Sequence, residues 1–324
     1  MPLSGPSSFP PALDEFIAHF TLVNNYLSED GPMMLTVGPA DDPEEVGVAD
    51  LVTLRISLGT AQDLVQSAVN SQEMKRGQLV LAKRSLLDVM QSFGRRVRAM
   101  FPPGSPWLGM LPEMPEMSSA AENFLNPARD VRDIWQKIET AGDPLTLPGG
   151  VTRAAYGVEL LALETLFQQA GAVELDLRYQ RELRNALQAR TELVLNRYRP
   201  TVESLLPPGS PLVLTIPKLR PSAGHTPDAV AITAVWDAVA GKARITWEAS
   251  EDAELATYQV RMSPTLEYDA DAESIIATVA PGDPRELLTL AGLGSAGDSA
   301  SYKVYVILTT GNERGSTPVA VTRP

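Results

Sequence analysis

The chain has 324 residues, of which 44% are hydrophobic and 21% charged, and these proportions are ordinary for a globular protein of about two domains. It contains no cysteine, which excludes disulfides, thiolate metal sites and cysteine nucleophiles. The formal net charge of −13 argues against a general binder of nucleic acid or anionic membranes.

The N-terminus begins MPLSGPSSFPPALDEF and lacks both the basic region and the apolar region of a standard secretory signal. No stretch approaches the roughly 18 consecutive apolar residues that a membrane span needs. We therefore expect no membrane insertion and take the cytoplasm as the default location, with export by a non-classical route left open.

The first hundred residues show the apolar spacing of three helices, which we predict at 10–27, 49–71 and 74–100. The third is followed at 101–115 by FPPGSPWLGMLPEMP. Its prolines cannot continue a helix, and Gly104 can take the positive φ of a sharp turn. The proline-spaced apolar residues after the turn are predicted to lie extended against the bundle.

A similar helix-terminating segment occurs again at 206–220, as LPPGSPLVLTIPKLR. An offset of 105 residues aligns the apolar positions that precede the two motifs, so that Val89, Met90, Phe93, Val97, Met100 and Phe101 fall on Val194, Leu195, Tyr198, Val202, Leu205 and Leu206. An offset of 118 aligns the first helices and places Leu13, Phe16, Ile17 and Phe20 on Val131, Ile134, Trp135 and Ile138. These matches predict a duplication, with the second set of helices at 127–140, 152–171 and 174–205.

A three-helix unit buries little apolar surface alone, and pairing two units makes one larger core. We therefore expect the copies at 1–117 and 118–221 to form one all-α domain of about six helices with approximate internal symmetry.

The pattern changes from helical to alternating at about residue 226. Seven short strand candidates follow in roughly 100 residues, separated by Gly, Asp and Pro: AVAITAVW, KARITWEA, TYQVRMS, SIIATVA, RELLTLAGL, SYKVYVILT and PVAVTR. This spacing predicts an antiparallel β-sandwich as a third domain at 222–324. The fold class is therefore multidomain α plus β.

The segment RITWEASEDAELATYQVRMS resembles the B and C strands of a fibronectin type III domain, with Trp247 and Tyr258 at the positions of its core tryptophan and C-strand tyrosine. The segment LTLAGLGSAGDSASYKVYVILTTGNERGSTPVAVTRP resembles the E–F corner, the F strand and the final hairpin, with Leu293 and Tyr302 matching the tyrosine corner. The resemblance covers about 226–324. It implies a seven-strand sandwich used for adhesion, spacing or protein binding, and it implies no catalysis.

Residues suited to catalysis are few. The chain has two histidines, His19 in the first predicted helix and His225 in the linker PSAGHTPD, and neither has a suggestive neighbourhood. No phosphate-binding glycine loop, HExxH pair or GxSxG motif is present. We assign no catalytic, cofactor-binding or metal-binding residue and expect no cofactor.

Two acidic clusters carry the oxygen ligands that calcium prefers, namely Asp41, Asp42, Glu44 and Glu45, and Glu267, Asp269, Asp271 and Glu273. Neither has the glycine spacing of a dedicated calcium loop. Solvated loop charge is the favoured interpretation of both.

The long helical segments are rich in cations, at Lys75, Arg76, Lys83, Arg84, Arg95, Arg96, Arg98, Arg178, Arg181, Arg184, Arg190, Arg197 and Arg199. Intervening acidic residues dilute their field, which favours solvated faces and ion pairs over a nucleic-acid groove. The segment from 222 onward has 14 acidic and 7 basic residues, a charge of −7. A second interpretation is that the cationic faces meet such acidic surfaces on neighbouring copies.

The favoured function is that of a non-enzymatic structural or protein-interaction protein, a helical scaffold that presents a fibronectin type III-like module. The expected partner is a protein, either other copies of the same chain in a self-assembling structure or an unidentified one, and no nucleic acid. Two alternatives stay open. One is a carbohydrate- or surface-binding accessory protein, with Trp107, Trp135, Trp236 and Trp247 as the available platforms, and the other is an enzyme that uses paired carboxylates.

Overall fold

The structure is a computed structural model that describes residues 3, 5–29, 34–38 and 45–324. Its α-helices are α1 (Phe9–Glu29), α2 (Val48–Met100), α3 (Pro106–Gly109), α4 (Ala121–Thr140), α5 (Arg153–Leu205) and α6 (Pro211–Leu214). Short 3-10 turns lie at Pro6–Ser8, Pro148–Gly150 and Ala270–Ala272. Within the described residues, every helix is too short or too polar to cross a bilayer.

The two long helices differ from the prediction. The predicted helices 49–71 and 74–100 are one continuous helix, α2, and those at 152–171 and 174–205 are likewise one, α5. The boundary in α2 was wrong because residues 71–74, SQEM, contain neither proline nor glycine. In α5 the predicted break follows Gly171. A glycine costs a helix only about 1 kcal/mol relative to alanine, whereas a break exposes four backbone groups at each new end.

The repeated PPGSP motif forms the same turn twice. Gly104 and Gly209 both have the positive φ expected of them, 88° and 83°. The backbone amides of Ser105 and Ser210 each donate to the carbonyl three residues earlier, at 3.1 Å. A proline then opens each four-residue helix, where its missing N–H is no loss. The two long helices and the two short ones begin and end 105 residues apart.

The chain divides into two compact units, residues 1–70 with 178–324 and residues 71–177. The predicted domain boundaries at 117 and 221 stay predictions. The 71–177 unit is built around α4, whose Trp135 is fully buried, lies 5.2 Å from the Phe93 ring and donates its indole N–H to Leu145 O at 3.0 Å. Tyr156 of α5 is also buried and donates its hydroxyl to Ala128 O at 2.9 Å.

The first unit contains a helical core and the whole sandwich. The helical core packs α1 against the start of α2 and the end of α5, where the Tyr198 ring meets Phe16 edge-on at 5.4 Å. The buried α5 residues Leu195, Tyr198 and Val202 are those that the offset of 105 pairs with Met90, Phe93 and Val97, which are buried in the core of the other unit. The predicted apolar stripes of both helices are therefore core stripes.

The C-terminal part is an antiparallel sandwich, as the sequence predicts. Its strands are β1 (Ile232–Asp237), β2 (Lys242–Trp247), β3 (Leu255–Ser263), β4 (Ser274–Val279), β5 (Glu286–Thr289), β6 (Ser299–Leu308), β7 (Glu313–Gly315) and β8 (Val319–Thr322). One sheet has the order β1-β2-β5, and the other has the order β4-β3-β6-β7, with β8 also paired to β6. The three-residue β7 was not among the predicted strands, because so short a segment shows no alternation.

The predicted core residues of the sandwich are buried together. Trp247 is 6% exposed and lies 5.9 Å from the ring of Tyr258. Leu293 and Tyr302 are fully buried, and the Tyr302 hydroxyl donates to Ala291 O at 2.7 Å. This hydrogen bond ties β6 to the segment between β5 and β6.

Candidate interaction surface

His19 lies inside the helical core and not in a cleft. It is 4% exposed, with Nδ1 2.8 Å from the Tyr198 hydroxyl and Nε2 2.8 Å from Leu212 O. A carbonyl only accepts, so Nε2 carries the proton and Tyr198 donates to Nδ1. Burial lowers the pKa of His19, which keeps the ring neutral. One ring nitrogen therefore fastens α1 to α5 and the other fastens α1 to α6.

His225 is exposed and bonded to Asp252 in the loops beside the sandwich. The hydrogen bond to Asp252 raises the pKa of His225, and the same bond lowers the pKa of Asp252. The pair is a local ion pair that ties the segment before β1 to the connection between β2 and β3.

The acidic cluster at 267–273 is engaged by arginines of α5. Asp269 forms an ion pair with Arg181, and the backbone carbonyl of Asp271 accepts from Arg184, whose guanidinium also lies 3.8 Å from the Asp271 carboxylate. The prediction of solvated loop charge is therefore wrong for Asp269, whereas the Asp271 carboxylate is 61% exposed. In the other predicted cluster, Asp41, Asp42 and Glu44 lie outside the described residues, and Glu45 is exposed.

Glu273 lies at the centre of a buried polar network. It is 3% exposed and forms an ion pair with Arg261, which is 1% exposed, at 3.0 Å. Arg261 also bonds Glu313 at 2.7 Å and stacks 3.8 Å from the Tyr305 ring. Two buried charges repay their desolvation only when the remaining donors and acceptors are satisfied as well, and here Gln259 accepts from the Arg261 Nε at 2.7 Å.

Glu273 also connects the sandwich to the helical part of the same unit, through its carboxylate and its backbone carbonyl. Ser7, just before α1, donates to Glu273 at 3.0 Å, and Gln62 of α2 donates to the Glu273 backbone carbonyl at 3.0 Å. Tyr268 donates to the other carboxylate oxygen at 2.7 Å. Burial, followed by the charge of Glu273, raises the pKa of Tyr268, so its hydroxyl remains a donor. We call these contacts, with those of Arg181 and Arg184, the junction.

The remaining predicted cations either make separate contacts elsewhere in the fold or are exposed. Lys83 is buried and donates to Met117 O at 3.0 Å and Ser119 O at 2.7 Å, with its ammonium 5.2 Å from the rings of Phe124 and Phe167. Arg197 donates to a loop carbonyl. Several others stay exposed: Arg76, Arg84, Arg95, Arg96, Arg98, Arg178, Arg190 and Arg199. No metal-ligating group of three or more His, Cys, Asp or Glu forms within the described part of the chain.

The predicted aromatic platforms have partners in the fold. Trp135 and Trp247 are core residues, Trp107 is partly buried 6.2 Å from Phe101, and the guanidinium of Arg323 lies 5.6 Å from the ring of Trp236. These contacts do not favour the carbohydrate-binding alternative, which needs exposed rings.

The feature that sequence reasoning missed is a second apolar stripe on α5, on the side away from its core stripe. Within 71–177, Val158, Leu161 and Leu175 are 71%, 64% and 63% exposed. Within the first unit, Tyr179, Leu183 and Leu193 are 59%, 42% and 50% exposed. Spacings of 3 and 4 recur among these positions, so the signal was present in the sequence, interleaved with the core stripe. Large apolar side chains grouped outside the core mark interaction surfaces.

Comparisons with solved structures give matches that cover 31% of this chain or less. No family model matches the chain, and no curated protein matches it. A solved Fn3-like protein from Clostridium thermocellum matches the C-terminal sheet region at 20% identity and a TM-score of 0.25, covering 31% of this chain and 96% of that one. The pectate lyases PelI from Erwinia chrysanthemi and Pel3 from Pectobacterium carotovorum match at 14% and 13% identity, with TM-scores of 0.25 and 0.24. Each of these two matches covers 29% of this chain, and 28% and 27% of the respective lyase.

Proposed function

We propose that this protein is a non-enzymatic structural or protein-interaction protein whose long helices bind protein through their outer faces. The observation that carries the proposal is the exposed apolar stripe of α5, where Val158, Leu161 and Leu175 are each more than 60% exposed. Fully burying side chains of this size stabilises by about 1.5–3 kcal/mol each, which favours an additional protein surface over them.

The sandwich acts in this proposal as a fibronectin type III-like module fixed to the helices. Support for the module comes from its three-stranded and five-stranded sheets, and from the hydrogen bond of Tyr302 to Ala291 O. Support for fixed attachment comes from the junction, since Glu273 and Arg184 are 3% and 2% exposed. Surfaces that are held by buried polar contacts present a partner with one geometry.

A duplicated helical unit is the second part of the proposal. It is supported by the shared bounds of α2 and α5 and of α3 and α6, each 105 residues apart, and by the equivalent burial of Phe93 and Tyr198. A scaffold built twice from one unit offers two related faces for partners, which suits assembly better than a single reaction centre.

A site-specific photo-crosslink tests the function. A benzoylphenylalanine at Leu161, on the stripe, should give protein adducts in the cells that make this protein, either with itself or with a foreign chain. The same residue at Glu174, which is exposed on a different face of α5, is the matched control and should give few. Equal labelling at both positions, or none at Leu161, contradicts the proposal.

A further inference from the structure

The part of α5 in the first unit has an outer face that is complementary to itself. Tyr179, Leu183, Ala186 and Leu193 follow one another at spacings of 4, 3 and 7, which places them on one side of a helix. All four are exposed, and the small Ala186 stands in the middle of the run. A small residue at the centre of a helix face lets a second helix approach closely.

The face is self-complementary because residues at equal distances before and after Ala186 suit each other. Seven residues before it is Tyr179 and seven after it is Leu193, so a reversed copy places an aromatic ring on an aliphatic side chain. Four residues before it is Glu182 and four after it is Arg190, so the reversed copy also places opposite charges side by side. A parallel pair would instead place each of these charges beside its own copy, which is unfavourable.

We propose that the partner of this surface is a second copy of the chain, with the two α5 helices antiparallel about a twofold axis at Ala186. A twofold interface uses the same patch on both subunits, and it requires residues at equal distances on either side of the axis to suit each other. The pairs Tyr179 with Leu193 and Glu182 with Arg190 meet that requirement. The proposal rests on the proposed function and names its partner.

The size of the patch sets the strength of the contact. Three large apolar side chains per copy and a row of flanking polar residues form a small interface, of the kind found in concentration-dependent complexes rather than obligate ones. Monomer and dimer are therefore expected to interconvert as the protein is diluted.

Disulfide trapping tests the geometry, because the natural chain has no cysteine to compete. Ala186→Cys should form a covalent dimer on mild oxidation, since a disulfide requires two Cα atoms within about 7 Å and residue 186 faces itself on the axis. Glu174→Cys is the matched control on the same helix and should stay largely monomeric. Equal trapping of both variants reports random collision and overturns the proposal.

Cross-linking between two different cysteine variants tests whether the α5 helices pair antiparallel or parallel. In an equal mixture, a Tyr179→Cys chain should cross-link to a Leu193→Cys chain, and neither should cross-link efficiently to itself. Self-linking of the Tyr179→Cys chain would instead show parallel pairing, which overturns the antiparallel arrangement. Glu182→Arg, which places like charges opposite Arg190 of the second copy, should weaken dimerisation at least fivefold in sedimentation equilibrium.

The test separates this inference from the proposed function. If Ala186→Cys stays monomeric while Leu161 gives adducts with a foreign chain, the second copy is the wrong partner and the interaction function stands. If the natural chain is also monomeric at every concentration and Leu161 gives no adduct, both are wrong.

Discussion

Arg261 and Glu273 form a buried ion pair between β3 and the segment before β4, with 3.0 Å between Nη1 and Oε1 and exposures of 1% and 3%. The pair is the centre of the junction, because Ser7 and Gln62 of the helical part bond to the same glutamate. Its removal therefore affects the sandwich and its attachment together.

Replacing Arg261 should be among the most damaging substitutions in the sandwich. Arg261→Met leaves the Glu273 carboxylate buried without its cation, and the expected loss in the free energy of unfolding is about 3–5 kcal/mol. Urea unfolding measures it. Arg314→Met, which removes an exposed arginine from β7, is the control and should change stability by less than about 0.5 kcal/mol. Similar losses in the two variants would contradict the role of the buried pair.

Neutralising Glu273 should lower the free energy of unfolding less than removing Arg261 does. In Glu273→Gln, Arg261 retains Glu313, which lies 2.7 Å from Nη2 and is partly solvated. We therefore expect a smaller loss than in Arg261→Met, and a double variant that is more stable than the sum of the two single losses predicts. A double-mutant cycle by urea unfolding measures the coupling, and strict additivity would show that the two side chains act independently.

Arg184 offers a contrast within the same junction. It is 2% exposed, yet the Asp271 carboxylate that faces it is 61% exposed and remains hydrated when the arginine is removed. Arg184→Met should therefore cost about 1 kcal/mol, mainly the hydrogen bond to the Asp271 carbonyl. Unfolding of this variant beside Arg178→Met, an exposed arginine on the same helix, isolates that contribution. A loss in the free energy of unfolding as large as that of Arg261→Met would contradict the prediction that Arg184 contributes less to stability than Arg261.

The junction shows where sequence reasoning ends. The sequence predicts solvated loop charge for the acidic segment at 267–273, and solvated faces and ion pairs for the arginines of α5, without showing that the two segments pair with each other. Arg184 and Asp271 are 87 residues apart, and no periodicity in either segment encodes their meeting. Pairing of this kind depends on how a sandwich docks on helices, which local patterns do not specify.

Local chemistry, in contrast, was predicted well. The positive φ of Gly104 follows from the proline-glycine turn, and the buried Tyr302 follows from the strand pattern and the family resemblance. The outer stripe of α5 was missed for a physical reason. Core and surface stripes of one helix have the same spacing of 3 and 4, so periodicity finds apolar faces without showing which one is covered.

The hydrogen bond from Tyr302 to Ala291 O gives a further prediction. Tyr302→Phe removes the hydroxyl that satisfies Ala291 O at 2.7 Å, and the ring stays in place. A lost buried hydrogen bond should lower the free energy of unfolding by about 1–2 kcal/mol. Tyr179→Phe, at an exposed position of α5, serves as the control and should leave the stability of the dilute protein unchanged. No loss in Tyr302→Phe would show that water replaces the tyrosine at that carbonyl.

The two histidines should give pH dependences of opposite sign. Burial lowers the pKa of His19 below its ordinary value of 6.5, so the unfolded chain takes up the proton first as the pH falls. The stability that this neutral ring contributes is present above pH 6.5 and is lost progressively below it. The hydrogen bond to Asp252 raises the pKa of His225 above 6.5, so its contribution is present below pH 6.5 and is lost as the pH rises through the folded value.

Substitution separates the two contributions. His225→Gln should steepen the loss of stability between pH 7.5 and 5.5. The variant lacks the stability that protonated His225 adds as the pH falls, while the destabilising effect of His19 remains. His19→Gln should flatten that loss and also destabilise the protein at pH 7.5, since an amide cannot reproduce both bonds to Tyr198 and Leu212. Urea unfolding at the two pH values measures both effects. A His19→Gln variant with an unchanged pH dependence would show that the pKa of His19 is the same in the folded and unfolded chains, which contradicts its lowering by burial.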